Sequence, residues 1–232
     1  MLEFCSVKLI QLISKKYMNS INQLQVKDLS CQRGERILFA DLNLQFQSGD
    51  FVQIEGHNGV GKTTLLRALS GLSRPRNGEI LWNNQPILQQ QDEFNADLLF
   101  LGHHAGIKPE LTAWENLRFF QKTTASRQQA EVLWETLQVV GLLGYEDIPT
   151  SQLSAGQQKR VSLARLWLST APLWILDEPF NTIDKRGVQV LTHLFEFHAS
   201  QGGMVIITSH QDVPSDIVQK VQLEKYKVIE TE

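Results

Sequence analysis

The sequence predicts an α/β fold with a parallel-sheet core and a mostly helical insert. Three observations predict it. Continuous apolar runs at residues 173–176 and 204–207, bounded by turn residues, have the composition of central parallel strands. A short buried strand at residues 51–54 leads into a glycine-rich loop and then a helix. Between about Gly102 and Arg160 the apolar residues fall at helical spacing.

Taken in order, residues 1–20 differ from the rest. Leu9, Ile10, Leu12 and Ile13 precede the pair Lys15-Lys16, which suits either a loosely attached tail or a membrane-surface helix. Met18 is an alternative start. Residues 24–29 and 42–46 alternate apolar and polar, as half-buried strands do. Gly49-Asp50 is a turn, and residues 51–54 form a strand. Residues 63–72 form a helix carrying Leu65, Leu66, Leu69 and Leu72. Pro75 and Gly78 break the chain before a strand at 79–82, and residues 98–101 read as a buried strand. Helices are expected at 113–120 and 126–140, the second opened by a Ser126/Gln129 capping box and stopped at Gly141. Another follows Ser154, over 157–168.

Composition narrows the class. The chain has 232 residues, 42% hydrophobic and 20% charged, enough for one large domain with an inserted lobe. A net charge of −3 argues against a broad nucleic-acid footprint. No apolar stretch reaches the roughly 18 residues needed to cross a bilayer, and no cleavable signal peptide is expected. Cys5 and Cys31 lack paired metal-type spacing, which fits a reducing compartment.

Three motifs carry chemistry. Gly56-His57-Asn58-Gly59-Val60-Gly61-Lys62-Thr63, followed by Thr64, matches the phosphate-binding loop. Its fixed positions would coincide by chance in roughly one per cent of chains this size. Glycines let backbone N–H groups approach phosphates, and the helix N-terminus adds partial positive charge. Lys62 is the phosphate ligand and Thr63 the Mg²⁺ ligand. Next, residues 173–176 deliver Asp177 and Glu178 at a strand's C-terminal end. Asp177 is placed to hold Mg²⁺ and Glu178 to orient the attacking water. Third, Leu153-Ser154-Ala155-Gly156-Gln157 is by itself a polar turn and helix N-cap.

Together these three resemble the motifs of ATP-binding-cassette ATPases. The resemblance covers residues 24 to about 223. It implies a P-loop NTPase (RecA-like) parallel-sheet core with an antiparallel β edge and an inserted α-helical subdomain at about 102–160, all within a domain spanning 21–232. It also implies a head-to-tail dimer of the chain with itself that sandwiches two ATP molecules. In that arrangement Ser154, Gly156 and Gln157 face the partner's γ-phosphate, Asp184 lies at the dimer interface, and His210 contacts the γ-phosphate. His103 stands where the family normally has glutamine. The usual adenine-stacking aromatic is absent, and Arg33 is a substitute.

Two flanking segments are more specific, Leu101-Gly102-His103 with Gly106-Ile107-Lys108, and His210-Gln211. They resemble the subfamily of cassettes that serve bacterial haem export and c-type cytochrome assembly, where histidine at the His103 position is usual. This implies ATP and Mg²⁺ as cofactors, integral membrane subunits of that complex as partners, and a peripheral place on the cytoplasmic face of the inner membrane. Three rivals remain: the ATPase of another exporter, a soluble cassette acting on DNA or ribosomes, and a P-loop kinase. The second would carry tandem cassettes or long coiled coils, which are missing here. The third would not need Ser154 or His210.

Overall fold

A computed structural model of the chain describes residues 21–124 and 130–226. The N-terminal segment at 1–20 and the Ser126/Gln129 capping box lie outside the described residues. So does Cys5.

The chain opens with two long strands, β1 (Gln23–Arg33) and β2 (Arg36–Gln47), paired as an antiparallel hairpin. Both exceed the alternating segments visible in sequence. Register shifts after Val26 and after Leu29 interrupt the alternation. Asp28 and Asp41 sit near them at left-handed φ of 47° and 52°. The hairpin turn falls at Gly34-Glu35. Strand β3 (Phe51–Glu55) then leads to helix α1 (Lys62–Leu69). β4 (Asn77–Trp82) and β5 (Gln85–Pro86) complete a four-stranded sheet in the order β2-β1-β4-β5.

Helix α2 (Gln91–Asp97) leads into β6 (Leu98–Leu101). The insert follows, with α3 (Ala113–Thr123), α4 (Ala130–Val139), α5 (Ala155–Leu163) and α6 (Arg165–Leu168). A single helix was expected over 157–168; the chain instead breaks at Ala164, between α5 and α6. Thr112 and Glu115 form a capping box that starts α3.

The core resumes with β7 (Leu173–Leu176), α7 (Lys185–Ser200), β8 (Met204–Thr208) and β9 (Gln219–Gln222). These build an all-parallel sheet in the order β6-β7-β8-β3-β9. Sequence alone suggested neither α7 nor β9.

The parallel sheet sorts its side chains by pleat. Leu173, Ile175, Met204, Ile206, Val52 and Ile54 face a cluster shared with the antiparallel sheet and α1. Their neighbours Trp174, Leu176, Val205, Ile207 and Phe51 face a second cluster shared with the insert and α7. Both faces are thus covered, which is why β7 and most of β8 are continuous apolar runs. On the second face Trp174 stacks on His198 with centroids 3.6 Å apart and planes 11° apart. The fully buried His198 ring is 3.1 Å from the Pro172 carbonyl, and burial pushes its pKa down to about 3.

Candidate nucleotide site

The site lies at the C-terminal ends of β3, β6, β7 and β8, where open α/β sheets bind ligands. The phosphate loop leaves β3 at Gly56 and enters α1 at Lys62. Gly61 caps that helix at φ 114°, and a Cβ there would stand 3.0 Å from the Phe39 ring. Only glycine meets both conditions. Lys62 is 8% exposed, and its ammonium donates to the Gly56 carbonyl at 2.6 Å. Loop carbonyls therefore hold the cation at the place where phosphate oxygens would compete for it.

Asp177 follows β7 and is almost wholly buried. Its carboxylate accepts from Thr63 Oγ1 at 2.9 Å and from Thr208 Oγ1 at 2.7 Å. The Thr208 hydroxyl in turn accepts from the Glu178 backbone N–H at 3.0 Å. One chain of hydrogen bonds thus ties the first turn of α1 to the ends of β7 and β8.

Glu178 is held at φ 49°, a strained conformation for a non-glycine residue. Its Oε2 accepts from the His210 N–H at 3.3 Å, and its Oε1 lies 3.3 Å from His210 Nε2. That second pair lacks hydrogen-bond alignment, and Oε1 is buried with no hydrogen-bond partner. A buried carboxylate oxygen in that state suits a water or ligand proton.

These groups converge on one cavity of about 300 Å³, lined by Asn58, Gly59, Gly61, Lys62, Thr63, Thr64, His103, Asp177, Glu178 and His210. Arg33 and Leu38, at the β1–β2 hairpin, line it too, with Asn181. Among the described residues no group of three or more His, Cys, Asp or Glu side chains could hold a metal ion. A hydroxyl and one carboxylate suit Mg²⁺, which draws most of its ligands from phosphate and water.

The remaining predicted residues are placed elsewhere. Val60 is buried in the core, and His57 turns to Glu224, whose Oε1 accepts from the His57 N–H at 2.6 Å and lies 2.7 Å from Nδ1. Ser154 and Gln157 bond each other, at 2.9 and 3.3 Å, as the capping box of α5. Gly156 sits where a Cβ would lie 3.0 Å from the Thr182 carbonyl. Asp184 caps α7 through the Gly187 N–H at 2.8 Å and pairs with Arg160 at 3.1 Å. None of these four lines the cavity.

Sequence reasoning missed Thr208, Glu224 and Lys159. Lys159, on α5, has its pKa lowered by burial, partly opposed by the charges of Asp177 and Glu178. No motif marks these three; only a polar residue ending an apolar strand hinted at Thr208.

Comparisons with known proteins give the family. Residues 39–181 match the family model for the ABC transporter. The chain is 64% identical to the cytochrome c biogenesis ATP-binding export protein CcmA of Pasteurella multocida, covering 90% of this chain and 98% of that one. It is 62% identical to the protein so named in Mannheimia succiniciproducens, covering 93% and 100%. Among solved structures, a putative ABC transporter ATP-binding protein of Pyrococcus furiosus superposes with a TM-score of 0.76 at 25% identity, covering 89% of this chain and all of that one. A dimeric bacterial cassette superposes at 0.72 and 24%, covering 86% and 94%. The chain belongs to the ABC transporter family, as one of its ATP-hydrolysing cassettes.

Proposed function

We propose that the chain is the ATPase subunit of a complex that delivers haem for c-type cytochrome assembly. The observation that carries the ATPase chemistry is the convergence of Lys62, Thr63, Asp177, Glu178 and His210 on one cavity. The relatives' shared name, with high identity over nine-tenths of the chain, supports the biological role.

Lys62 and the backbone N–H groups of residues 58–64 bind the β- and γ-phosphates. Thr63 and Asp177 hold Mg²⁺, which neutralises phosphate charge when bound. Glu178 takes the attacking water on Oε1, which has no hydrogen bond within the chain, and orients it in line. His210 contacts the γ-phosphate, and His103 hydrogen-bonds the metal-bound water. A second copy then supplies Ser154, Gly156 and Gln157 to the γ-phosphate, with Asp184 at the dimer interface. Catalysis is mostly positioning and charge.

The partners are the integral membrane subunits of the haem-delivery complex, and the chain sits against the cytoplasmic face of the inner membrane. Among the described residues no helix is long and apolar enough to cross a membrane. Exposed aromatics on the insert, Phe119 at 46% and Trp134 at 43%, suit contact with such subunits.

The test is covalent haem staining of c-type cytochromes in cells lacking the chain, complemented by wild type or by Lys62→Ala. Staining should vanish in the deletion and return only with wild type. Persistent staining in the deletion would remove the haem role and leave the ATPase. For the chemistry, Glu178→Gln should bind ATP and accumulate as an ATP-bound dimer by size-exclusion chromatography. Hydrolysis by that variant at the wild-type rate would refute the role given to Glu178.

A further inference from the structure

β3 is flanked by β8 and β9, and four of its five residues are buried: Phe51, Val52, Gln53 and Ile54. Three of them are apolar. The fourth, Gln53, is 2% exposed and pairs across the ladder with Ile207. Its side-chain nitrogen donates to the Ser209 carbonyl at 3.3 Å and to the Gln211 carbonyl at 3.2 Å. Two carbonyl acceptors fix which end of the amide is nitrogen. Its oxygen is buried with no hydrogen-bond partner. A half-satisfied amide is a poor choice for sheet stability, since an apolar residue of the same shape would leave nothing unpaired.

The two bonds straddle His210. They fix the backbone one residue before and one after it, beyond the end of β8. Ser209 reinforces the same turn, accepting from the Gln211 N–H at 3.0 Å and donating to the Gln211 carbonyl at 2.9 Å. His210 then meets Glu178 through its backbone N–H and its ring, both at 3.3 Å.

We propose that Gln53 is a positioning residue for hydrolysis: its amide clamps the turn at Ser209–Gln211 so that His210 faces Glu178. The same strand therefore serves the site at two points, through the phosphate loop at its end and through Gln53 at its middle. This rests on the roles given above to His210 and Glu178.

The test measures ATP hydrolysis by the full chain for Gln53→Met and Gln53→Glu, each alone and with His210→Ala. Methionine keeps the length and glutamate keeps the shape; neither can donate as the amide does. Each single variant should lose tenfold or more in kcat while KM for ATP stays within twofold. On top of His210→Ala, either change should cost less than a further twofold. A kcat within twofold of wild type in a folded variant, or an equal loss with and without His210, overturns the proposal. So does failure of both variants to fold and bind ATP, because Gln53 would then serve stability. If His210→Ala alone hydrolyses at the wild-type rate, the role of His210 falls and this inference with it. If His210→Ala is impaired and the Gln53 variants are not, only the inference falls.

Discussion

The phosphate loop and the turn at Ser154 are both helix N-termini, yet they are in different states. Around the loop, Lys62, Thr63, Asp177, Glu178 and His210 share one cavity, and Glu178 keeps a buried oxygen without a hydrogen bond. Around Ser154 the donors and acceptors are spent locally, since Ser154 and Gln157 satisfy each other and Asp184 caps α7. One half of the nucleotide site is therefore built within the chain. The other is a capped, exposed helix end, which in the proposed dimer meets the phosphate held by a second copy.

Mutations can break that contrast. Lys62→Ala should have the largest effect, weakening ATP binding by the single chain about a hundredfold, roughly 2.7 kcal/mol. Isothermal titration at low protein concentration reads it.

Helix α7, packed on the sheet beneath the site, carries a pH-sensitive group. Neutral His198 is buried with a pKa near 3, whereas the unfolded chain takes up a proton near 6.5. Stability from this group is full above pH 6.5 and falls as pH drops toward 3, because only the unfolded state gains the proton. By pH 5 the loss should be about 2 kcal/mol, and urea melts should show it reduced in His198→Phe.

Ser154→Ala sharpens the contrast further. It should lower stability by about 1 kcal/mol through the lost cap, leave ATP binding by the single chain within twofold, and still reduce hydrolysis at least tenfold at dimer-forming concentrations. Binding lost in parallel with hydrolysis would mean the two halves are not separate. Arg160→Gln should be the mildest, under about 1 kcal/mol in thermal melts, because the Asp184 end of the Arg160–Asp184 pair is open to solvent.

Most of this was legible where a residue type is dictated by contact with a ligand or by burial on both faces. The phosphate loop, the Asp177-Glu178 pair and the strands at β7 and β8 are such places. Legibility failed where the cause is tertiary. β9, with Gln219, Lys220 and Gln222, has little apolar character because it is an edge strand that pairs with β3. α7 was missed although Asp184 is its N-cap, because a role at the dimer interface already explained that aspartate. The hairpin strands were underestimated because the register shifts near Asp28 and Asp41 break the alternation that marks a strand. The contact between His57 and Glu224 was invisible for the same reason, since the two residues stand 167 positions apart in sequence.

That last contact bears on the order of synthesis. A growing chain finishes its phosphate-loop sequence at residue 63, but the strand beside β3 and the carboxylate that grips His57 arrive only at residues 219–224. Lys220, paired with Glu55 at 2.8 Å, comes just as late. Nascent chains stalled before residue 219 would carry every classical ATP motif and still lack one wall of the loop. Retention on immobilised ATP should therefore be weaker for chains stalled before residue 219 than for the full chain.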